Sequence, residues 1–489
     1  MVKTFYKSRM FPTKTVDDSQ NCSDSIHSSC DSSEMFDRFF IFGGSYDQNS
    51  ISQSPSLLVA YPSTGNQETN EELNQIAKFC YPNGFSKLSP SRSPSNALIT
   101  EKFVFFLKKG GQRTYGCCIH FNVPEGKCPF FANNLNRNYP FCFCFISKVP
   151  CISLHIRFAV NLVHVLLGLS QPHQNVPKFS TSSVRGLCYS DLTLDKNCMA
   201  IAVRKGMRAP KCLIGELLYY QNLKCQTVSA SQSLLYPTIH TLFSYLSVPN
   251  IILIYTAVLL ERKVLLVSKS ISKYSSAAIA LTALCEPFNS VPVVIPVVPP
   301  EFSVLLDSPI PYIAGSSEYS NNADIVIDLD TGVVHENSEI PKLPAQVGLL
   351  KNLNSLIEYE KENIIVPPKK IKSFLGKEQQ NPQFTKLVKS ISDEAFPICK
   401  LDTLKMAFKC QTTDMIKLLF DGHFLPQLLA VATSMNGVKD INKNLNKTIL
   451  ICVKSCDKIF FEEFASTQGG SSFFIKDKGE IDDVVKMFL

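Results

Sequence analysis

Continuous apolar runs and helical spacing alternate along the middle of this chain, and the densest stretch lies between Ser247 and Gly315. Ile251 to Leu260 is one almost unbroken apolar helix. It runs into Glu261-Arg262-Lys263 and then into a short apolar strand, Val264 to Val267. A second helix follows, and then an all-apolar strand from Val293 to Val298 between prolines. Strands without polar alternation, interleaved with helices, predict a sheet covered on both faces. Ser247 is placed as N-cap of the entry helix, with Pro249 in its first turn, which suits both residue types. Asp324 to Leu329 reads as the last strand of this region, closed by the turn Asp330-Thr331-Gly332.

Upstream the pattern is that of strands with fewer helices. Met35 to Gly44 reads as a first strand ending in a glycine turn, and Pro55 to Pro62 as a second apolar segment. Glu71 to Phe79 has helical spacing through Leu73, Ile76 and Ala77. Lys102 to Leu107 and Thr114 to Phe121 flank the turn Lys109-Gly110-Gly111-Gln112 as a hairpin. Phe141 to Ser147 is a further strand, and Ile152 to Leu167 returns to helical spacing. Residues 1–34 are polar and Ser/Asp-rich and read as a disordered tail. Downstream of Pro367-Pro368 the spacing is helical throughout, which predicts a helical bundle.

The fold class is therefore α/β with a mostly helical C-terminal module. The predicted division is a tail over 1–34, a first lobe over 35–170, a Ser/Pro/Gln-rich linker over 171–190, a second lobe over 191–345 and a helical module over 346–489. A chain of 489 residues holds several domains of ordinary size.

Charge narrows the partners. The net charge of +7 is mild, and none of the ten arginines lies beyond Arg262. The C-terminal third is basic through lysine alone, which argues against bidentate readout of nucleic acid and leaves peripheral contact with an anionic membrane open. No apolar run is long enough to span a bilayer, and the basic N-terminus has no apolar segment behind it to make a secretory signal. The 18 cysteines contain no Cys-x-x-Cys pair and read as reduced, packed thiols of a cytosolic protein. The sequence has no Gly-x-x-x-x-Gly-Lys loop, no Gly-x-Ser-x-Gly elbow and no metal-ligand cluster, so no cofactor, no metal site and no covalent catalysis are expected.

Several words then stand in order. Phe79-Cys80-Tyr81-Pro82-Asn83-Gly84, Tyr115-Gly116-Cys117-Cys118 and Ile146-Ser147-Lys148-Val149-Pro150 precede Leu259-Leu260-Glu261-Arg262-Lys263-Val264-Leu265-Leu266-Val267-Ser268. Pro309 to Gly315 and Asp328-Leu329-Asp330-Thr331-Gly332 follow, and Phe460 to Phe464 with Thr467-Gln468 closes the series. This set resembles the DENN-domain family, whose members are exchange factors for Rab GTPases. The resemblance implies a longin-like N-terminal lobe, a second α/β lobe backed by a helical downstream module, and a Rab-family small GTPase docked across both lobes. It implies exchange without covalent chemistry, in vesicle trafficking, in the cytoplasm with recruitment to vesicle or endosomal membranes.

Beside these words, the polar residues expected to meet the GTPase are Arg113 and Tyr115 at the hairpin, Asn250 in the entry helix, Ser268, Ser270 and Lys273 after the central strand, and Glu318 after the Gly315 turn. Loops at the carboxyl ends of strands form the usual binding edge of such sheets. The plain structural readings stand beside them. Glu261 and Arg262 suit a local ion pair at a helix end, Asp328 and Asp330 suit a turn cap, and Gly84, Gly116 and Gly315 suit turns or close backbone approach. Two other functions fit the same words: a hydrolysis activator, with Arg113 as its inserted arginine, and a non-catalytic GTPase-binding scaffold.

Overall fold

The protein is described by a computed structural model. It describes residues 36–44, 46–47, 50–51, 54–61, 70–86, 99–109, 112–123, 138–148, 150, 234–285, 293–362, 412–420 and 453–474, with single positions between 152 and 163 and between 423 and 448. The expected tail over 1–34 and linker over 171–190 lie outside the described residues.

The first sheet has the order β4-β1-β7-β6-β5, with every neighbouring pair antiparallel. Its strands are β1 (Arg38–Gly43), β4 (Ser56–Tyr61), β5 (Ile99–Lys109), β6 (Gln112–Phe121) and β7 (Phe141–Ser147). A small ribbon pairs β2 (Tyr46–Asp47) with β3 (Ser50–Ile51). The central strand β7 is buried at all its positions, as its run FCFCFIS requires. Aromatic pairs weld it to its neighbours: Phe39 meets Phe145 with centroids 4.8 Å apart, and Phe121 meets Phe143 at 4.6 Å. Helix α1 (Asn70–Cys80) covers part of this sheet through Ile76, Ala77 and Cys80.

The second sheet has the order β12-β11-β8-β10-β9. Strands β8 (Val264–Val267), β9 (Val293–Ile295), β10 (Tyr312–Ser316) and β11 (Ile325–Asp328) are parallel, and β12 (Val333–Glu336) is antiparallel to β11. Two sequence expectations are corrected here. The apolar run to Val298 is strand only as far as Ile295, because Pro296 has no N–H to offer the ladder. Asp324 to Leu329 is not the last strand, since the turn at 330–332 leads back into β12.

Helices α2 (Ile239–Tyr245), α3 (Val248–Leu259) and α4 (Ile271–Cys285) pack around this sheet. Ser247 caps α3, its Oγ accepting from the Asn250 N–H at 3.4 Å, with Pro249 in the first turn as expected. Helix α4 is rich in Ala and Ser, so backbones approach it closely on several sides. Gly315 of β10 shows how closely: an added Cβ would meet the Pro296 carbonyl oxygen and the Tyr274 ring. A 3-10 helix spans Pro300–Asp307. Helix α5 (Gln346–Lys361) packs on α3, and helices α6 (Lys458–Ser466) and α7 (Gln468–Phe474) follow a helical segment over 412–420. One apolar cluster runs continuously from Phe36 in the first sheet through α3 and α4 to Phe474.

The seam between the sheets is polar and specific. Strand β5 is an edge of the first sheet, and its outward backbone groups need partners. Helix α4 supplies them. Lys102 N–H donates to Ser272 Oγ at 2.9 Å and Val104 N–H to Ser275 Oγ at 3.0 Å, while Ser275 Oγ–H donates to the Val104 carbonyl at 2.6 Å.

Candidate functional site

Parallel strands bring their carboxyl ends to one edge. Ser316 pairs with Val267 and Val267 with Asp328 in register, so the loops after β10, β8 and β11 lie side by side. Asp330 organises this edge. Its carboxylate accepts from Ser268 Oγ at 2.9 Å, from Lys269 N–H at 2.8 Å and from Lys273 Nζ at 2.7 Å. Asp328 Oδ1 in turn accepts from the Asp330 and Thr331 N–H groups, which makes the turn that presents Asp330. Burial pushes the Asp330 carboxyl up, but the Lys269 N–H, the Lys273 ammonium and the Ser268 hydroxyl outweigh it and hold it below the ordinary aspartate value. The hydrogen bond to Asp330 raises the Lys273 ammonium in the same way. Lys273 Nζ also sits 4.2 Å from the ring centroid of Tyr245, a half-exposed aromatic.

The first sheet reaches into this edge with two side chains. Glu101 of β5 accepts from Ser270 Oγ and from the Ser272 N–H, both at 3.1 Å, and from Ser272 Oγ. Asn83, in the turn after α1, donates from Nδ2 to the Lys269 carbonyl at 3.2 Å and accepts from Tyr274 Oη–H at 3.3 Å. Gly84 closes that turn with φ of 82°, a conformation glycine adopts without cost. Glu101, Lys269, Ser270 and Asp330 line an open depression of about 280 Å³ between the sheets.

Of the residues singled out in the sequence, Ser268, Ser270 and Lys273 are part of this cluster. Asn250 is at its border, donating from Nδ2 to the Gly332 carbonyl at 3.2 Å. Glu318 is exposed on the β10 loop, its N–H held by Ser316 Oγ at 3.0 Å. Arg113 and Tyr115 are elsewhere. Arg113 pairs with Lys108, seven residues along β5 from Glu101, or about 23 Å at the usual strand rise. It is exposed, its guanidinium 5.0 Å from the Phe106 ring centroid. Tyr115 is buried edge-on against the same ring and acts in packing.

Glu101, Asn83 and Asp330 were not among the expected contacts. Nothing local marks Glu101, a charged residue at the start of a strand; only its partners 169 to 171 positions away give it a role. Asn83 lies inside the Phe79 to Gly84 word, which was the available signal. Glu261 and Arg262 also differ from expectation. They form no local pair but reach helices α6 and α7, Arg262 to Glu463 and Glu261 to the N–H groups of Gln468 and Gly469.

The carboxylates of Asp330 and Glu101, the Ser268, Ser270 and Ser272 hydroxyls and the Lys273 ammonium bond to one another across this edge, which is a shaped, charged surface. Among the described residues no helix is long and apolar enough to cross a membrane.

Comparison with known proteins agrees with the ordered words. A profile of the uDENN domain matches residues 55–121, and one of the DENN (AEX-3) domain matches residues 138–334. The second match begins upstream of β7, so the DENN match contributes a central strand to the first sheet. The chain is 25% identical over 258 residues to DENN domain-containing protein 2A of Mus musculus, covering 51% of this chain and 22% of that protein. It is 25% identical over 315 residues to DENN domain-containing protein 2B of Homo sapiens, covering 63% and 23%, and 24% identical over 293 residues to protein 2C of Mus musculus, covering 58% and 28%. The matches thus span about a quarter of the length of these relatives. With two domain matches in order and the sheet seam they build, this chain belongs to the DENN-domain family.

Proposed function

We propose that this protein is a guanine nucleotide exchange factor that binds a Rab-type small GTPase across its two sheets and promotes GDP release in vesicle trafficking. The observation that carries this reading is the Asp330 cluster. It joins residues of both sheets at the edge where strand-to-helix loops meet, in a chain of the DENN-domain family. The longin-like character of the first sheet, the lobe boundaries near 35–170 and 191–345, the downstream role of 346–489 and a cytoplasmic site of action recruited to vesicle or endosomal membranes belong to the same proposal.

Exchange is a linkage effect. A protein that binds the nucleotide-free GTPase more tightly than the loaded form lowers nucleotide affinity by the same factor. This demands a surface complementary to displaced switch segments and no covalent intermediate. The half-exposed Tyr245 ring, the exposed Glu318 and the polar rim around Asp330 supply anchors of the kind that interfaces use.

The test is release of labelled GDP from a panel of Rab proteins of the same organism. Acceleration of one or a few members supports the reading. If none responds while the GTP-loaded forms bind, the scaffold reading replaces it. If GTP hydrolysis accelerates and falls with Arg113→Ala, the protein is an activator of hydrolysis.

A further inference from the structure

The second cluster of reactive side chains lies deep in the first sheet, well away from the Asp330 edge. Helix α1 ends on Cys80. Strand β6 contributes Cys118, and β7 contributes Cys142 and Cys144, which share one face because they are two positions apart. The Cys80 and Cys118 sulfurs are 3.8 Å apart, and those of Cys80, Cys118 and Cys142 all lie within 4.8 Å of one another. Cys144 stands directly opposite Cys118 in the β6–β7 register and on the same strand face as Cys142, which places it as the fourth donor beside this group of three. All four residues have 0% exposure.

We propose that Cys80, Cys118, Cys142 and Cys144 form a buried tetrathiolate site for a structural zinc ion. A tetrahedral zinc centre with Zn–S bonds of about 2.3 Å has sulfur–sulfur edges of about 3.8 Å, the separation found between Cys80 and Cys118. The donors come from a helix end and two adjacent strands, so one ion would tie α1 to the centre of the sheet. Zinc fits a set of soft sulfur donors buried from water, where hard cations that need oxygen ligands do not. Binding converts four thiols to thiolates, releases four protons and leaves a centre of charge −2.

Neighbouring groups hold the donors in place. His120 Nε2–H donates to the Cys80 carbonyl at 2.6 Å and fixes the end of α1 over the strands. Tyr81 stacks on His120 at 5.1 Å, and its hydroxyl engages the Phe42 and Pro140 carbonyls at 3.1 and 3.0 Å. These bonds fix the backbone that carries Cys80 rather than the sulfurs themselves. Cys117 is excluded. It faces the other side of β6, beside His155, and serves as an internal control.

The sequence hides this site because its four ligands make no Cys-x-x-Cys pair. Only the folding of α1 onto β6 and β7 gathers them.

The experiment is elemental analysis of the full-length chain purified under reducing conditions, followed by replacement with Co²⁺. One zinc per chain is expected, with an intense sulfur-to-cobalt band and the visible bands of tetrahedral cobalt after exchange. Cys118→Ala and Cys142→Ala should each lower bound zinc at least about tenfold, and Cys117→Ala should leave it unchanged. Less than about a tenth of an equivalent of zinc, with no sulfur-to-cobalt band on adding Co²⁺, overturns the proposal, as does zinc retained by Cys118→Ala. Where those variants do not fold, the unaltered chain still decides, by alkylation mapped to peptides before and after chelation. Faster alkylation of Cys80, Cys118, Cys142 and Cys144 on chelation supports the site, and unchanged rates at these positions overturn it.

Discussion

Arg262 donates from Nη2 to Glu463 Oε2 at 2.6 Å, a bond that spans 201 positions and fastens the end of α3 to helix α6. Its neighbour Glu261 has a left-handed backbone with φ of 52°, and its carboxylate accepts from the first N–H groups of α7 at 3.0 and 3.1 Å. Two adjacent charges at one helix end therefore hold the C-terminal helices. Both partners of the ion pair are about a third exposed, which limits its worth to about 1 kcal/mol. Arg262→Ala should lower stability by about that amount. Urea unfolding of Arg262→Ala, Glu463→Gln and the double variant checks it: additive losses would mean the two side chains do not act on each other.

The seam makes a second prediction. Ser275 is buried and both donates to and accepts from the backbone of Val104, completing an edge strand. Ser275→Ala leaves the Val104 N–H and C=O without this partner and should cost about 1–3 kcal/mol. Ser275→Thr keeps the hydroxyl and is the comparison. Equal stability of Ser275→Ala and the unaltered protein would show that β5 does not depend on this bond.

Asp330 gives a pH dependence with a definite sign. Its folded pKa lies below the ordinary value of 3.8, so ionised Asp330 stabilises the fold above that pH, and the contribution is lost as pH falls through the depressed value. Asp330→Asn removes it at every pH. The gap in melting temperature between the unaltered protein and Asp330→Asn should be constant from about pH 7 to 5 and close below about pH 4. A gap that widens on acidification would contradict the assigned shift.

How far the sequence carried these conclusions depends on the range of each signal. Ser247 with Pro249, strand β7 and strand β8 were legible because capping chemistry and unbroken apolar runs are local. The length of β9 differs from expectation because Pro296 interrupts the ladder, which beyond it keeps a bond from the Val298 N–H to the Gly315 carbonyl at 2.8 Å. Strand β12 was missed because three of its four residues are exposed and it lies on a sheet edge, so it shows little apolar pattern. The candidate edge was legible through Ser268, Ser270 and Lys273, which follow a recognisable strand. Glu101 and the Arg262–Glu463 bond were not, since each is defined only by partners more than 150 positions away. The four gathered cysteines belong to the same class.

Core and surface variants at the α3–β8 junction separate scaffold from function. Leu260 is buried at the end of α3, where its side chain belongs to the continuous apolar cluster. Leu260→Ala should cost about 2–5 kcal/mol through lost transfer energy and a cavity. Glu318 and Arg113 are exposed, and Glu318→Lys and Arg113→Ala should each shift stability by less than about 0.5 kcal/mol. Their effects on exchange should differ. Glu318 stands beside the Asp330 cluster, so reversing its charge should slow GDP release at least about tenfold, equivalent to about 1.4 kcal/mol of coupling. Arg113 lies about 23 Å along β5 from Glu101, so on the proposed reading its variant reports whether a GTPase would reach the hairpin. Thermal melting and GDP release on all three variants are the measurements. Undiminished release by Glu318→Lys would remove the β10 loop from the docking edge, and undiminished release by Arg113→Ala would remove the hairpin and, with it, the arginine that a hydrolysis activator would need.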